Sequence, residues 1–189
     1  KEFCSLLYGI GEELDGIIVD ESIYTKISNP KFEKTIFFGD DDYNNIFLEM
    51  AKDSEKLEIN LLMGHYFFLG NEKIFANHFS NVIDEEEYVQ TIQNSKFLLT
   101  SSLQTALESL SCGNKQVLFK RNDKAYDEKL ISKLNLPVVE FTNLEKLIEQ
   151  FETIIKTYPT ITNFQIIKLD NMVLQIKEKI DLFNKLTQI

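Results

Sequence analysis

Cysteine is nearly missing from these 189 residues, with Cys4 and Cys112 the two present. That excludes a disulfide framework and makes a reducing, intracellular compartment the default expectation. Basic residues are outnumbered, 20 Lys and Arg against 30 Asp and Glu, for a formal charge of −10. Wrapping a nucleic acid backbone needs clustered cations, so nucleic acid is not an expected partner. No apolar run approaches the ~18 residues of a membrane span, and no signal-peptide pattern is visible. His65 and His78 have no Cys or Asp at ligand spacing, so structural or surface roles are expected. His65, just beyond a strand, keeps a ligand contact open. No nucleophile–base–acid set can be assembled.

What remains is the composition of a folded protein of one ordinary domain, 43% hydrophobic and 26% charged. The first residue is Lys1 rather than Met, and structured-looking sequence begins close to it. The expectation is a fragment, one half of a larger polypeptide with a domain preceding it.

The chain is organised around residues 94–119, NSKFLLTSSLQTALESLSCGNKQVLF. Phe97, Leu98 and Leu99 form a compact apolar run that suits a strand covered on both faces. Thr100, Ser101 and Ser102 are turn residues whose hydroxyls can cap a helix. Leu103, Ala106, Leu107 and Leu110 recur at helical spacing, Cys112-Gly113-Asn114 is a stop, and residues 116–119 are the next strand. Strand, helix and strand of this size make a parallel βαβ unit, and ligands of such sheets bind beyond the carboxyl ends of the strands.

The alternation extends to either side. Residues 35–38 and 58–62 read as strands. Between them lie Gly39-Asp40-Asp41-Asp42 and a helix carrying Tyr43, Ile46, Phe47 and Met50, with Asp41 or Asp42 as its cap. A short helix over 72–79 and a brief strand over 81–83 follow. Asp84, Glu85, Glu86 and Glu87 then put acids at the positive end of a helix reaching Gln93. Beyond the central unit come a helix marked by Tyr126, Leu130, Ile131 and Leu134, and a strand over 136–141 whose Pro137 suits an edge. A helix capped by Thr142-Asn143 and a long last helix over about 164–186, with Ile167 on its apolar stripe, complete the chain. The predicted fold is α/β, three-layered with a mostly parallel sheet, ending in a long helix. Residues 1–34 are a lead-in or the remnant of a preceding domain, although Ile17, Ile18 and Val19 suit a short strand. Residues 35–158 form the α/β domain and 159–189 the closing helix.

Ser101, Ser102, Thr105 and Glu108 are the leading site candidates. Free N–H groups and hydroxyls at a helix start can hold a phosphate, and a glutamate further in can accept hydrogen bonds from a sugar diol. The same residues equally describe a well-capped helix with one solvated acid. Gly39, Asp40, Asp41 and Asp42 lie where α/β proteins receive anions, but three carboxylates repel a diphosphate unless Mg²⁺ bridges them. The alternative is an N-cap with charges that suit the helix dipole. Lys120, Arg121 and Lys124 follow a strand end on the same edge, and either neutralise phosphate or are surface charge. Cys112, beside a helix-end glycine, reads as a packed thiol.

The run TSSLQTALESLSCGNKQVLF resembles the carboxyl-terminal half of the glycosyltransferase-B (GT-B) superfamily. The nearest relatives in pattern are the nucleotide-sugar hydrolases of pseudaminic acid biosynthesis and the MurG-type N-acetylglucosaminyltransferases. In that group a small-residue loop precedes Thr-x-x-Glu on a helix, then Gly and a hydrophobic strand. Here Ser101-Ser102, Thr105 with Glu108, and Gly113 before Val117 take those places. The resemblance covers about residues 17–141 and implies a Rossmann-like nucleotide-sugar-binding domain. It implies that Ser101, Ser102 and Thr105 lie near a diphosphate, Glu108 near the ribose, and the stretch from Asn122 to Lys129 near the sugar or phosphate. Gly39 and Asp40 would answer to the glycine-rich first turn. It further implies a UDP- or CMP-linked sugar as ligand, Mg²⁺ accompanying the diphosphate as the candidate cofactor, and a catalytic histidine on an N-terminal domain. No catalytic residue is then expected in this chain.

Two departures stand out. Gly39 is followed by three acids where paired glycines would permit close backbone approach, and residues 100–102 hold no glycine. The functional expectation is the donor-binding domain of a GT-B-type glycosyltransferase or nucleotide-sugar hydrolase of surface or flagellar glycan synthesis, in the cytoplasm. The alternative is a non-catalytic Rossmann-like module that has kept the fold and lost the ligand, favoured by the −10 charge and the acidic triplet. A response-regulator-like or flavodoxin-type domain would use Asp40, Asp41 and Asp42 with Lys120, but the aspartate expected on a third strand is missing.

Overall fold

Thr35, Ile36 and Phe37 are each at most 1% exposed, although Thr35 is polar, because the strand that carries them is covered on both faces. The computed structural model describes residues 17–20, 22–67, 70–160, 166–167 and 169–186. The chain divides into two compact units, Ile23–Thr162 and a second made of Lys1–Ser22 with Asn163–Ile189. Strands and helices are numbered along the chain. In the second unit β1 (Ile17–Ile18) pairs in parallel with β8 (Ile166–Ile167), and α7 (Leu169–Leu186) follows. The expected strand near Ile17 is therefore present. Ile167 belongs to a strand and not to the closing helix, because its backbone pairs with that of Ile18.

The larger unit is built on a six-stranded, wholly parallel sheet. Its strands are β2 (Phe32–Phe37), β3 (Leu57–Leu62), β4 (Phe79–Ile83), β5 (Ser95–Thr100), β6 (Lys115–Phe119) and β7 (Val138–Val139). They lie in the order β4-β3-β2-β5-β6-β7. Counted from the first strand of the sheet this is 3-2-1-4-5-6, the order of dinucleotide-binding Rossmann folds. The 2-1-3-4-5 order of flavodoxin-type domains is not adopted, which removes the response-regulator-like alternative.

Helices cover both faces. α1 (Ile46–Lys52), α2 (Glu72–His78) and α6 (Leu144–Lys156) contribute Phe47, Phe75, Leu147 and Phe151 to a core with Ile36, Phe38, Leu61, Val117 and Phe119. α3 (Tyr88–Gln93) and α4 (Leu103–Ser111, ending at Cys112) lie on the other face, where Ile92 and Cys112 pack with Phe37, Leu62 and Leu98. The alternation of Ile36, Phe37 and Phe38 between the two cores is the period-two signature of a strand. α5 (Glu128–Leu134) crosses from β6 to β7. Two sequence expectations change here. The acidic opening of α3 is a 3-10 turn, Glu85–Glu87, and Tyr126 lies in the loop ahead of α5. β7 pairs with Leu118 and Phe119 alone, and beside it the Tyr158 hydroxyl donates to the Gln116 carbonyl at 2.8 Å and accepts from its N–H at 3.1 Å. Among the described residues no helix is long and apolar enough to cross a membrane.

The strand ends are held level. Phe37 is in register with Leu62 on one side and Thr100 on the other, so the loops after β2, β3 and β5 leave the sheet at one height. The loop after β3 closes on the loop after β2 at Gly64, where a Cβ would sit 2.1 Å from the Gly39 carbonyl oxygen and 2.7 Å from the Asp40 Cα. The Tyr66 N–H then donates to the Asp40 carbonyl at 2.7 Å. Both obstacles at Gly64 are backbone, so Gly64→Ala forces the loops apart. We expect it to lower unfolding free energy by ~2 kcal/mol or more in urea denaturation; an unchanged midpoint would show the contact to be dispensable.

Candidate functional site

The sheet order reverses between β2 and β5, and ligands of open α/β sheets bind in the crevice beyond that point. A cleft of about 200 Å³ lies there. The β2–α1 loop supplies Gly39, Asp40 and Asp41, the β5–α4 loop Ser101, Ser102 and Leu103, and the β6–α5 loop Arg121, Lys124, Ala125 and Tyr126. Three loops far apart in sequence thus meet because their strands are neighbours.

The β5–α4 wall is set by its hydroxyls. Ser102 is the N-cap of α4, its Oγ accepting the Thr105 N–H at 3.2 Å, and its own N–H donates to Thr100 Oγ1 at 3.0 Å. The Ser101 hydroxyl donates to the Phe38 carbonyl and its N–H to the Phe37 carbonyl, tying this wall to the end of β2. Opposite, Gly39 has φ +127°, a conformation that favours glycine, and a Cβ there would lie 3.2 Å from Ser101 Oγ and 3.3 Å from Arg121 Nη1.

Arg121 is the centre of the third wall. Its side chain is 2% exposed, with the guanidinium carbon 4.2 Å from the centroid of the Phe38 ring. Asp123 accepts from Nε at 2.9 Å and Nη2 at 2.6 Å; Asp41 accepts from Nη1 through its carbonyl at 2.8 Å and from Nη2 through Oδ1 at 3.1 Å. Lys124 donates to the second Asp41 carboxylate oxygen at 2.6 Å, and the Tyr126 hydroxyl accepts the Arg121 N–H at 2.9 Å. Burial works to raise the Asp41 carboxyl, but hydrogen bonds and charge from Lys124 and Arg121 outweigh it and hold the group below the usual carboxylate value. The Arg121 hydrogen bond holds Asp123 low as well.

The acidic triplet does not act together. Asp40 is exposed and lines the cleft, Asp41 pairs with the two cations, and Asp42 turns away into the fold. Asp42 accepts the N–H groups of Phe47 and Leu48 at 3.1 and 3.0 Å, so it is the acid that caps α1. Its burial pushes its carboxyl above the usual range against the pull of those N–H groups. Among the described residues no group of three or more His, Cys, Asp and Glu is arranged to hold a metal ion. The carboxylates of Asp40, Asp41 and Asp42 therefore do not converge as a Mg²⁺ site.

Thr105 and Glu108 lie below the cleft rather than in its lining. The Tyr88 hydroxyl bridges them, 2.7 Å from Thr105 Oγ1 and 2.6 Å from Glu108 Oε2, and Gln104 donates to the other Glu108 oxygen at 3.1 Å. Glu108 is 8% exposed, so the solvated acid of the sequence reading is a buried, bonded one. Burial and the Glu108 charge drive the Tyr88 hydroxyl far above its ordinary pKa. Asn122 is exposed and outside the lining. His65 is exposed, 3.9 Å from a Glu85 oxygen, and His78 pairs with the Ser54 carbonyl at 2.8 Å. Cys112 is buried, its thiol pushed up to about 11 by burial and the Glu108 charge.

The structure therefore brings Gly39, Asp40, Ser101 and Ser102 together with Arg121 and Lys124, two of the three cations weighed for this edge, and with Tyr126. The signal for Arg121 is a cation two residues past a buried strand with an aspartate two residues on. No protein-family model, curated protein or solved structure matches this chain.

Two measurements check this geometry. Because Asp41 and Asp123 have depressed pKa values, the stability they contribute is present above the ordinary aspartate value and is lost as pH falls through the lower folded values. Arg121→Met should cost about 2 kcal/mol at neutral pH, and its stability should fall less than that of the parent between about pH 5 and pH 2. Parallel acid profiles of the two proteins would contradict the pairing. Tyr88→Phe leaves a Glu108 oxygen without its donor and should lower the urea midpoint by an amount equivalent to ~1–2 kcal/mol.

Proposed function

We propose that this chain is the donor-binding domain of a GT-B-type glycosyltransferase or nucleotide-sugar hydrolase, and that the switch-point cleft holds the nucleoside diphosphate leaving group. One observation carries the reading: the start of α4 and the Arg121–Lys124 pair face one cleft at the point where the sheet order reverses. A helix start offers N–H groups that lack intrahelical acceptors, and two cations beside it match the charge of a phosphate. In that role the domain stabilises charge growing on the departing diphosphate. Acceptor or water, and any general base, come from a partner domain. The ligand is a nucleotide sugar such as a UDP- or CMP-linked one, Mg²⁺ enters with it if at all, and the setting is cytoplasmic synthesis of surface glycans.

A second reading has its own support. The same cations are already paired with Asp41 and Asp123, and Thr105 and Glu108 with Tyr88, as in a module that has kept the fold and lost the ligand. Calorimetric titration with UDP, CMP, GDP and UDP-N-acetylglucosamine, with and without Mg²⁺, separates the two. The donor-domain reading expects saturable binding of one nucleotide, weakened about tenfold by Lys124→Met, with Glu108→Gln reporting any ribose contact. A folded chain that binds none of the four would favour the non-catalytic module.

A further inference from the structure

We infer that the cleft is a seat for a multiply charged phosphate whose place the Asp41 carboxylate now holds, so that ligand entry exchanges one anion for another on Arg121 and Lys124. This rests on the reading of the cleft as a phosphate site.

The Asp41 carboxylate does what a phosphate would do there. One oxygen accepts from Arg121 Nη2 at 3.1 Å and the other from Lys124 Nζ at 2.6 Å. The guanidinium is fixed without it. Asp123 grips Nε and Nη2 in a two-point fork, the Asp41 backbone carbonyl takes Nη1, and the Phe38 ring lies beneath. The bond to the Asp41 carboxylate is the longest of the four that the Arg121 guanidinium makes, and Lys124 is 41% exposed, so its head group can turn to a ligand. Departure of the Asp41 carboxylate therefore leaves the seat standing.

Charge gives the exchange a direction. A dianion or polyanion carries more charge than the carboxylate it displaces, whereas a monocarboxylate gains nothing by replacing another. Exposed Asp40 at the rim repels every entering anion, so a ligand must gain more than this on Arg121 and Lys124 together to enter. The internal carboxylate thus acts as a threshold, admitting phosphates that engage Arg121, Lys124 and the start of α4 together.

The test is calorimetric titration of the full 189-residue chain with inorganic pyrophosphate, comparing the parent, Asp41→Asn and Asp123→Asn. Asp41→Asn removes the internal competitor and should bind at least tenfold more tightly, equivalent to about 1.4 kcal/mol. Asp123→Asn removes the same charge but loosens the guanidinium, and should bring no gain. Equal affinity of the parent and Asp41→Asn overturns the exchange even if nucleotides bind the parent, which leaves the donor-domain reading in place. An equal gain in both variants also overturns it, because net charge then accounts for the effect. No binding of pyrophosphate or of any nucleotide by parent or variant removes both ideas. If Asp41→Asn does not fold, carbon-13 NMR of the parent replaces it: saturating pyrophosphate should raise the Asp41 carboxyl pKa as its two cations leave it. An unmoved midpoint would overturn the inference.

Discussion

A single buried guanidinium joins the loops that make the cleft. Arg121 sits on the Phe38 ring and bonds Asp41 on one side and Asp123 on the other. A cation withdrawn this far from water costs several kcal/mol if left unpaired. The Asp41 backbone carbonyl and the Asp123 carboxylate both bond it, so the β2–α1 and β6–α5 loops are held where they reach it. The aromatic core beneath serves the same end, because Phe38 stacks on Phe47 at 4.8 Å and lies 5.9 Å from Phe119, which fixes the surface on which Arg121 rests. Core and cleft are in this sense one construction. The ring that closes the interior also supports the cation that lines the cleft.

The backbone makes the matching contribution. Gly64 lets the loop after β3 touch the loop after β2, and Gly39 turns the chain where Ser101 and Arg121 crowd it. Neither position is explained by local propensity. Both are explained by parallel strands that end at one level and must discharge their loops into the same small space. Ser101 completes the arrangement by extending the β2–β5 ladder one residue beyond the strands.

The layers of the fold were legible in the sequence, because buried parallel strands such as residues 97–99 and helices such as Leu103 to Leu110 carry their periodicity openly. The central strand–helix–strand unit and its serine cap appeared as expected. The pairings that give the cleft its character were not legible. Asp40, Asp41 and Asp42 read as one acidic cluster, yet they have three separate environments, since consecutive residues in a turn point in different directions. Glu108 read as a ribose contact or a solvated acid, because nothing local announces that Tyr88, twenty residues earlier, will be brought over it. Arg121 gave no sign of burial, since Asp123 is local but Asp41, which completes its pairing, comes from a loop eighty residues away.

The hydroxyl of Tyr158 has a bearing on how this protein behaves at high concentration. A parallel sheet ends in strands whose outer backbone groups invite another chain, and β7 is too short to cover the whole outer side of β6. At Gln116 the phenol both donates and accepts, as a neighbouring peptide unit would. Burial raises this phenol to about 12, so it stays protonated and keeps both functions at any pH a cell provides. One side chain thus closes the outer backbone of β6 at Gln116, where an added strand finds neither a free N–H nor a free carbonyl.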